Sequence, residues 1–302
     1  MEDKKDILES LAGVTRPKQT DDIIDNAVTQ SAQYYCDALT DEKINDVLGD
    51  CDTHLITLVG FSEVGKSTFV ASLYHKVMST GEIDGYKFID SDTYIGFERR
   101  AYIRNEDLKT SKRNSRTTTL EGQFLTLTLT KNEKIKKLII SDRAGEMYKN
   151  NYKNNLSDVQ KDKGLINSHH IVFFVDSSSI NNEDDYDDFC DEFQLLLGRM
   201  ASAGVFAISK VYDIIYNKIE LNSTDEEKTL YTKQSQELEN MLKNDYGINL
   251  SNRFEITANN MQDKELNHVF DYFVNTLNGQ IICKRLRVYT IVDFSFIRTF
   301  AP

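Results

Sequence analysis

Proline is nearly absent from this sequence. Its two residues, Pro17 and Pro302, sit close to the ends, so no proline-rich linker divides the chain. Cysteine is scarce too. Cys36, Cys51, Cys190 and Cys283 are scattered and form no Cys-x-x-Cys pair. Cys36, Cys51 and His54 are the one loose set a zinc ion could use, and buried or incidental thiols are the better reading. No run approaches the roughly 18 apolar residues of a membrane span. The start, MEDKKDILES, lacks an apolar stretch suited to a signal peptide. These absences predict a cytoplasmic chain without a membrane span. Positive charge is in deficit, with 36 Lys and Arg against 48 Asp and Glu and a net charge of −12. That argues against a protein built to coat nucleic acid or an anionic membrane. The five histidines offer no Ser–His–Asp logic, and His169-His170 reads as core or solvent packing.

What is present is an ordinary globular balance, 40% hydrophobic and 28% charged over 302 residues, enough for a sizeable core. Residues 1–20 read as a loose polar tail. Ile24, Ala27, Ala32, Tyr35 and Ala38 fall at helical spacing, and Ile44 and Val47 suggest a second short helix stopped by Gly49. From residue 54 short apolar runs alternate with amphipathic stretches. Strands are expected at His54–Val59, Gln123–Thr130, Lys137–Ser141, His170–Val175, Val205–Ser209 and Arg253–Thr257. Helices are expected at Lys66–Met78, within 150–162, and at Asp187–Ser202, Glu226–Asn244 and Lys264–Asn278. This alternation predicts an α/β domain with a mainly parallel sheet. Leu125, Leu127 and Leu129 alternate with threonines, and Lys131–Lys134 turns that strand into an antiparallel neighbour. Arg285–Phe300 mixes strand-like residues with charge. Acidic residues from Glu183 onward suit the start of a helix rather than a metal site.

Gly60-Phe-Ser-Glu-Val-Gly65-Lys66-Ser67 fits G-x-x-x-x-G-K-[ST] between an apolar strand and a helix. Glycines let backbone N–H groups face inward and make an anion nest. The helix N-terminus adds partial positive charge. Lys66 is suited to β- and γ-phosphates and Ser67 to Mg²⁺. Asp142-Arg-Ala-Gly145-Glu146 follows the apolar strand 137–141. A carboxylate there can hold Mg²⁺ through water, and a glycine three residues on can offer its N–H to a γ-phosphate. Between the two motifs lies a polar loop, 109–119. Thr119, then Thr118, is placed to complete a metal shell before the next strand, and Arg113 and Arg116 are candidates for phosphate oxygens.

These motifs, in this order, resemble the translation-factor-related (Ras-like) class of P-loop GTPases over roughly residues 54–280. The resemblance implies a three-layer α/β/α P-loop fold at 51–302 after a small helical segment at 1–50. It implies a Mg²⁺-dependent GTP/GDP switch with slow hydrolysis, read by a protein partner through residues 105–119 and 142–160. Nucleotide contacts then fall to Glu63, Val64, Gly65, Lys66, Ser67, Thr68 and Gly145. Metal contacts fall to Ser67, Asp142, Thr118 and Thr119. The family's [NT]-K-x-D base motif is sought after strand 205–209, where Lys210 matches, Ser209 replaces the first residue and Asp213 comes one place late. Thr257-Ala258-Asn259 takes the place of the last motif, with the Ala258 N–H toward the guanine oxygen. Lys66 and Glu146 are the catalytic candidates. Glu146 stands where Ras-like proteins have glutamine, and is expected to act as a base on water or to pair with Arg143. Gly60–Tyr74 and Asp142–Glu146 also resemble the bacterial double-GTPase group of conflict and defence loci, which implies a second GTPase as partner. An ATPase and a non-hydrolysing nucleotide-binding scaffold are the alternatives.

Overall fold

The strand order β2-β3-β4-β5-β1-β6-β7-β8 makes one eight-stranded sheet. Its members are β1 Asp52–Val59, β2 Glu82–Ile83, β3 Tyr86–Asp90, β4 Phe124–Lys131, β5 Lys134–Asp142, β6 His170–Asp176, β7 Val211–Asn217 and β8 Asn252–Ile256. The computed structural model describes residues 36–47, 52–104 and 122–278. Thr118, Thr119, Arg113, Arg116, the 1–35 segment and the stretch 285–300 lie outside the described residues. β5, β1, β6, β7 and β8 run parallel, while β2, β3 and β4 add an antiparallel flank. The β4–β5 hairpin closes through Asn132 and Glu133, both at positive φ (52° and 62°), the paired left-handed turn that suits the twist of its strands.

The parallel strands read as unbroken apolar runs because helices cover both faces. Adjacent residues of β6 show this. Phe174 packs on Phe69 of α1 (Lys66–Thr80), and Phe173 packs on Phe193 of the long α5 (Glu183–Ser202). α7 (Lys264–Asn275) shares the α1 face through Phe270 and Phe273 against Phe69. α6 (Asp225–Tyr246) begins with a capping box between Thr224 and Glu227. β3 is followed by α2 (Tyr94–Arg104), and two short helices, α3 (Leu156–Lys161) and α4 (Lys163–Asn167), fill the stretch before β6. No helix among the described residues is long and apolar enough to cross a membrane.

One expected strand does not form. Val205–Ser209 is a turn that follows α5. Gly204 takes φ 73°, and the N–H of Val205 donates back to Met200 O at 3.0 Å, a left-handed helix stop. Val205 is buried but Ile208 is fully exposed, so this run lacks the two covered faces of an interior strand. The strand instead starts at Val211.

Residues 36–47 lie against the sheet. Leu39 bridges Phe124, and Ile44, in a short 3-10 turn, packs with Leu55, Phe124 and Ile139.

Candidate nucleotide site

All five parallel strands point their C-terminal ends the same way, and ligands of such sheets sit outside those ends. β1 runs into the phosphate loop. Gly65 takes φ 95°, and a Cβ there would overlap the side-chain amide of Asn217, so conformation and contact both demand glycine. Gly65 caps α1 with no side-chain hydrogen bond, and no acidic residue occupies the first helical turn. An α1 N-terminus that starts at glycine and carries no acidic residue in its first turn suits an anion. Val64 is buried and Glu63 exposed.

Lys66 is buried. Its Nζ donates to Gly60 O (2.6 Å) and Phe61 O (2.9 Å) and sits 5.6 Å from the Tyr148 ring. Burial pulls its pKa down to about 8, opposed by Asp142 and Glu146. Tyr148 is held well above the ordinary phenol range by burial, and its hydroxyl donates to Leu58 O at 2.9 Å.

β5 brings Asp142 to the same end. Its Oδ2 accepts from Ser67 Oγ at 2.9 Å and from Arg100 Nε at 2.7 Å. Its Oδ1 is buried and has no hydrogen-bond partner among the described residues. A buried carboxylate oxygen left open beside a serine hydroxyl fits a hydrated hard cation such as Mg²⁺. Gly145 reaches the phosphate loop so closely that a Cβ would overlap the Phe61–Ser62 backbone. Glu146 is half-buried at the start of a π-helical turn, Met147–Tyr152. Arg143 does not pair with Glu146. It binds Asp41 Oδ2 (2.8 Å) and Asp162 Oδ2 (2.5 Å), because those carboxylates flank it from the N-terminal segment and from the N-cap of α4.

The base-reading expectation is corrected. Lys210 and Asp213 lie at the opposite end of the sheet. In β7 Val211 pairs with His170, the first residue of β6, so Asp213 enters the sheet near its N-terminal edge. Asp213 is fully buried, with Oδ2 2.6 Å from His170 Nε2 and Oδ1 accepting from Asn252 N at 2.8 Å. Lys210 Nζ is spent on Leu165 O and Ile166 O. These two residues hold the fold.

The sequence reading missed Asn217-Lys218-Ile219-Glu220, where β7 actually ends. It matches N-K-x-D with Glu in the last place. The signal is present in the sequence, one strand-length after the apolar run at 205–209. Asn217 is a buried bridge: its Nδ2 donates to Val64 O and its Oδ1 accepts from Ala258 N, each at 2.9 Å. Ala258, expected from the sequence, is thus tied to the phosphate loop. Lys218, at φ 63°, pairs with Asp176 at 2.5 Å. Glu220 is exposed and accepts from Thr257 Oγ1 at 2.6 Å.

A family model described as Double-GTPase 2 matches residues 54–271. No curated protein matches the sequence. Among solved structures, the GDP-bound RocCORdC portion of Methanosarcina barkeri Roco2 is similar at 14% identity and a TM-score of 0.37. The match covers 76% of this chain and 50% of that one. The chain thus spans about half of that relative. The match over most of the chain, together with the strand and phosphate-loop geometry, places this protein among the P-loop GTPases as a member of the Double-GTPase 2 family.

Proposed function

We propose that the chain is a GTP-dependent switch that binds GTP or GDP with Mg²⁺, hydrolyses GTP and presents its nucleotide state to a protein partner in the cytoplasm. The observation that carries this is the Asn217 bridge, which joins the phosphate loop to the Ala258 segment beside Lys218 and Glu220. Glu220 is the exposed carboxylate suited to the two ring-edge N–H groups of guanine, which adenine lacks. The Ala258 N–H expected at the guanine oxygen is instead held by Asn217 Oδ1, so Ala258 serves to fix the segment beside Glu220.

At the phosphate end, the α1 N-terminus and residues 63–68 hold the β- and γ-phosphates. Lys66 exchanges its two carbonyl partners for phosphate oxygens. Ser67 and Asp142 would hold Mg²⁺, with Thr118 or Thr119 completing the set. When bound, the metal neutralises phosphate charge. Gly145 offers its N–H to the γ-phosphate, and Glu146 accepts a proton from, or orients, the attacking water.

The domain reading is a segment at 1–50 and a GTPase domain at 51–302. Its support for switching is that the 36–47 stretch touches the strand that follows the first switch segment, through Leu39 on Phe124, and the start of the second, through Asp41 on Arg143. In the double-GTPase setting the partner would be a second GTPase, in bacterial defence. Labelled GTP and ATP titrated into wild type and Glu220→Ala test the base reading. GTP affinity should drop at least about tenfold with ATP unchanged, the least expected for one charge-assisted hydrogen bond. Equal wild-type affinity for the two nucleotides would sink it.

A further inference from the structure

α2 carries one side chain that nucleotide binding alone leaves unexplained. Arg100 is 1% exposed. Its Nε donates to Asp142 Oδ2 at 2.7 Å and one terminal nitrogen to Gly96 O at 3.0 Å. The other terminal nitrogen reaches Asp142 O at 3.3 Å and Gly122 O at 3.4 Å. A buried guanidinium is costly unless its charge is matched, and an apolar side chain would brace α2 more cheaply. The charge therefore has a local use, and among the described residues the carboxylate bonded to it is Asp142.

Asp142 Oδ2 thus receives both Arg100 and the Ser67 hydroxyl, while Oδ1 stays open. Arg100 does not stand in the place of a metal. It fixes which carboxylate oxygen is left for one and balances the carboxylate's charge from behind. Its bond to Gly122 O also anchors the start of the chain leading into β4.

We propose that Arg100 is a positioning residue that acts through Asp142: a built-in cation that carries part of the charge balance otherwise left to Mg²⁺, so that nucleotide is held with only a weak dependence on the metal. This rests on the reading of Asp142 as the metal-side carboxylate. Without Arg100, the Asp142 charge faces the phosphates unbalanced, and metal-free nucleotide leaves faster. The same bare carboxylate attracts a divalent cation more strongly, so nucleotide leaves more slowly once Mg²⁺ is present. Both effects widen the gap between release with and without metal.

The test follows release of fluorescent GDP from the full chain in excess EDTA and in excess Mg²⁺, read as the ratio of the two off-rates. Wild type should show a ratio below about tenfold. In Arg100→Gln the ratio should rise about 10- to 100-fold, the span of a charge-assisted hydrogen bond, and Arg100→Lys should stay near wild type. A bracing role alone predicts that both variants speed release equally in the two buffers. An unchanged ratio in Arg100→Gln would overturn the proposal. If Arg100→Gln does not fold by circular dichroism, wild type decides: a ratio above about tenfold overturns the proposal and a lower one supports it. Failure of wild type to retain GDP at any Mg²⁺ concentration would instead overturn the nucleotide reading itself.

Discussion

Replacing Asn217 by alanine should cost both stability and nucleotide affinity. Asn217 is 3% exposed and spans two backbone groups on separate elements, Val64 O in the phosphate loop and Ala258 N beyond β8, each at 2.9 Å. Ala258 is itself 2% exposed, and Val64 5%, so water does not replace the lost amide freely. A buried group left without its partner costs about 1–3 kcal/mol. Two such groups give about 2–6 kcal/mol, before any cavity term. For a domain of this size that is a fall in melting temperature of about 4–24 °C. Asn217→Asp separates the two arms. Its carboxylate still accepts from Ala258 N but meets Val64 O with no donor. It should therefore disturb the phosphate loop more than the Ala258 loop. The assay pairs urea unfolding of the nucleotide-free chain with the Kd for fluorescent GDP. Asn217→Ala should lower the unfolding free energy by at least about 2 kcal/mol and weaken GDP at least about tenfold. A loss under about 1 kcal/mol with unchanged GDP affinity would refute the reasoning that this amide joins the two halves of the site.

Two further outcomes follow from particular side chains. Asp213→Asn should destabilise the fold by about 1–3 kcal/mol, through its contacts with His170 and Asn252, while the ratio of GTP to ATP affinity stays at the wild-type value. A changed ratio would return base reading to Asp213. Lys66 titrates near 8 in the free chain instead of 10.5, because of its burial. Triphosphate holds the protonated form, so GTP affinity should be flat below pH 8 and fall by up to about tenfold per pH unit above it. The stability effect has the opposite sign. From about pH 8 to 10.5 the unfolded lysine binds a proton that the folded one has lost. The burial cost of Lys66 is therefore full below pH 8 and relieved as pH rises through that window. GTP titrations from pH 7 to 9.5, compared with Lys66→Ala, check the first effect. A profile that is flat above pH 8 would refute it.

The phosphate loop, the β4–β5 hairpin and the Asp142–Gly145 segment were legible in the sequence for one reason. Each is a local motif whose residue types are dictated by backbone conformation or by the phosphate itself. Gly65 must adopt a positive φ, and Lys66 and Ser67 follow it by position. The order of strands and helices was legible as well, since interior parallel strands are apolar on both faces. The base-reading end was not. β7 reads Val-Tyr-Asp-Ile-Ile-Tyr-Asn, with Asp213 and Asn217 both buried, while the apolar run just before it is a turn with an exposed Ile208. Buried polar residues look like surface until their partners are known. Here the partners are His170, Asn252, Val64 and Ala258, all more than thirty residues away. Arg100 is the same case, since only the fold brings it to Asp142. Sequence alone thus determined where the phosphate-loop motif and the candidate metal-side carboxylate lie, after β1 and β5. Tertiary structure decided which charges gather at Asp142 and which segments Asn217 ties to the phosphate loop, because hydrogen bonds between distant strands leave no local pattern.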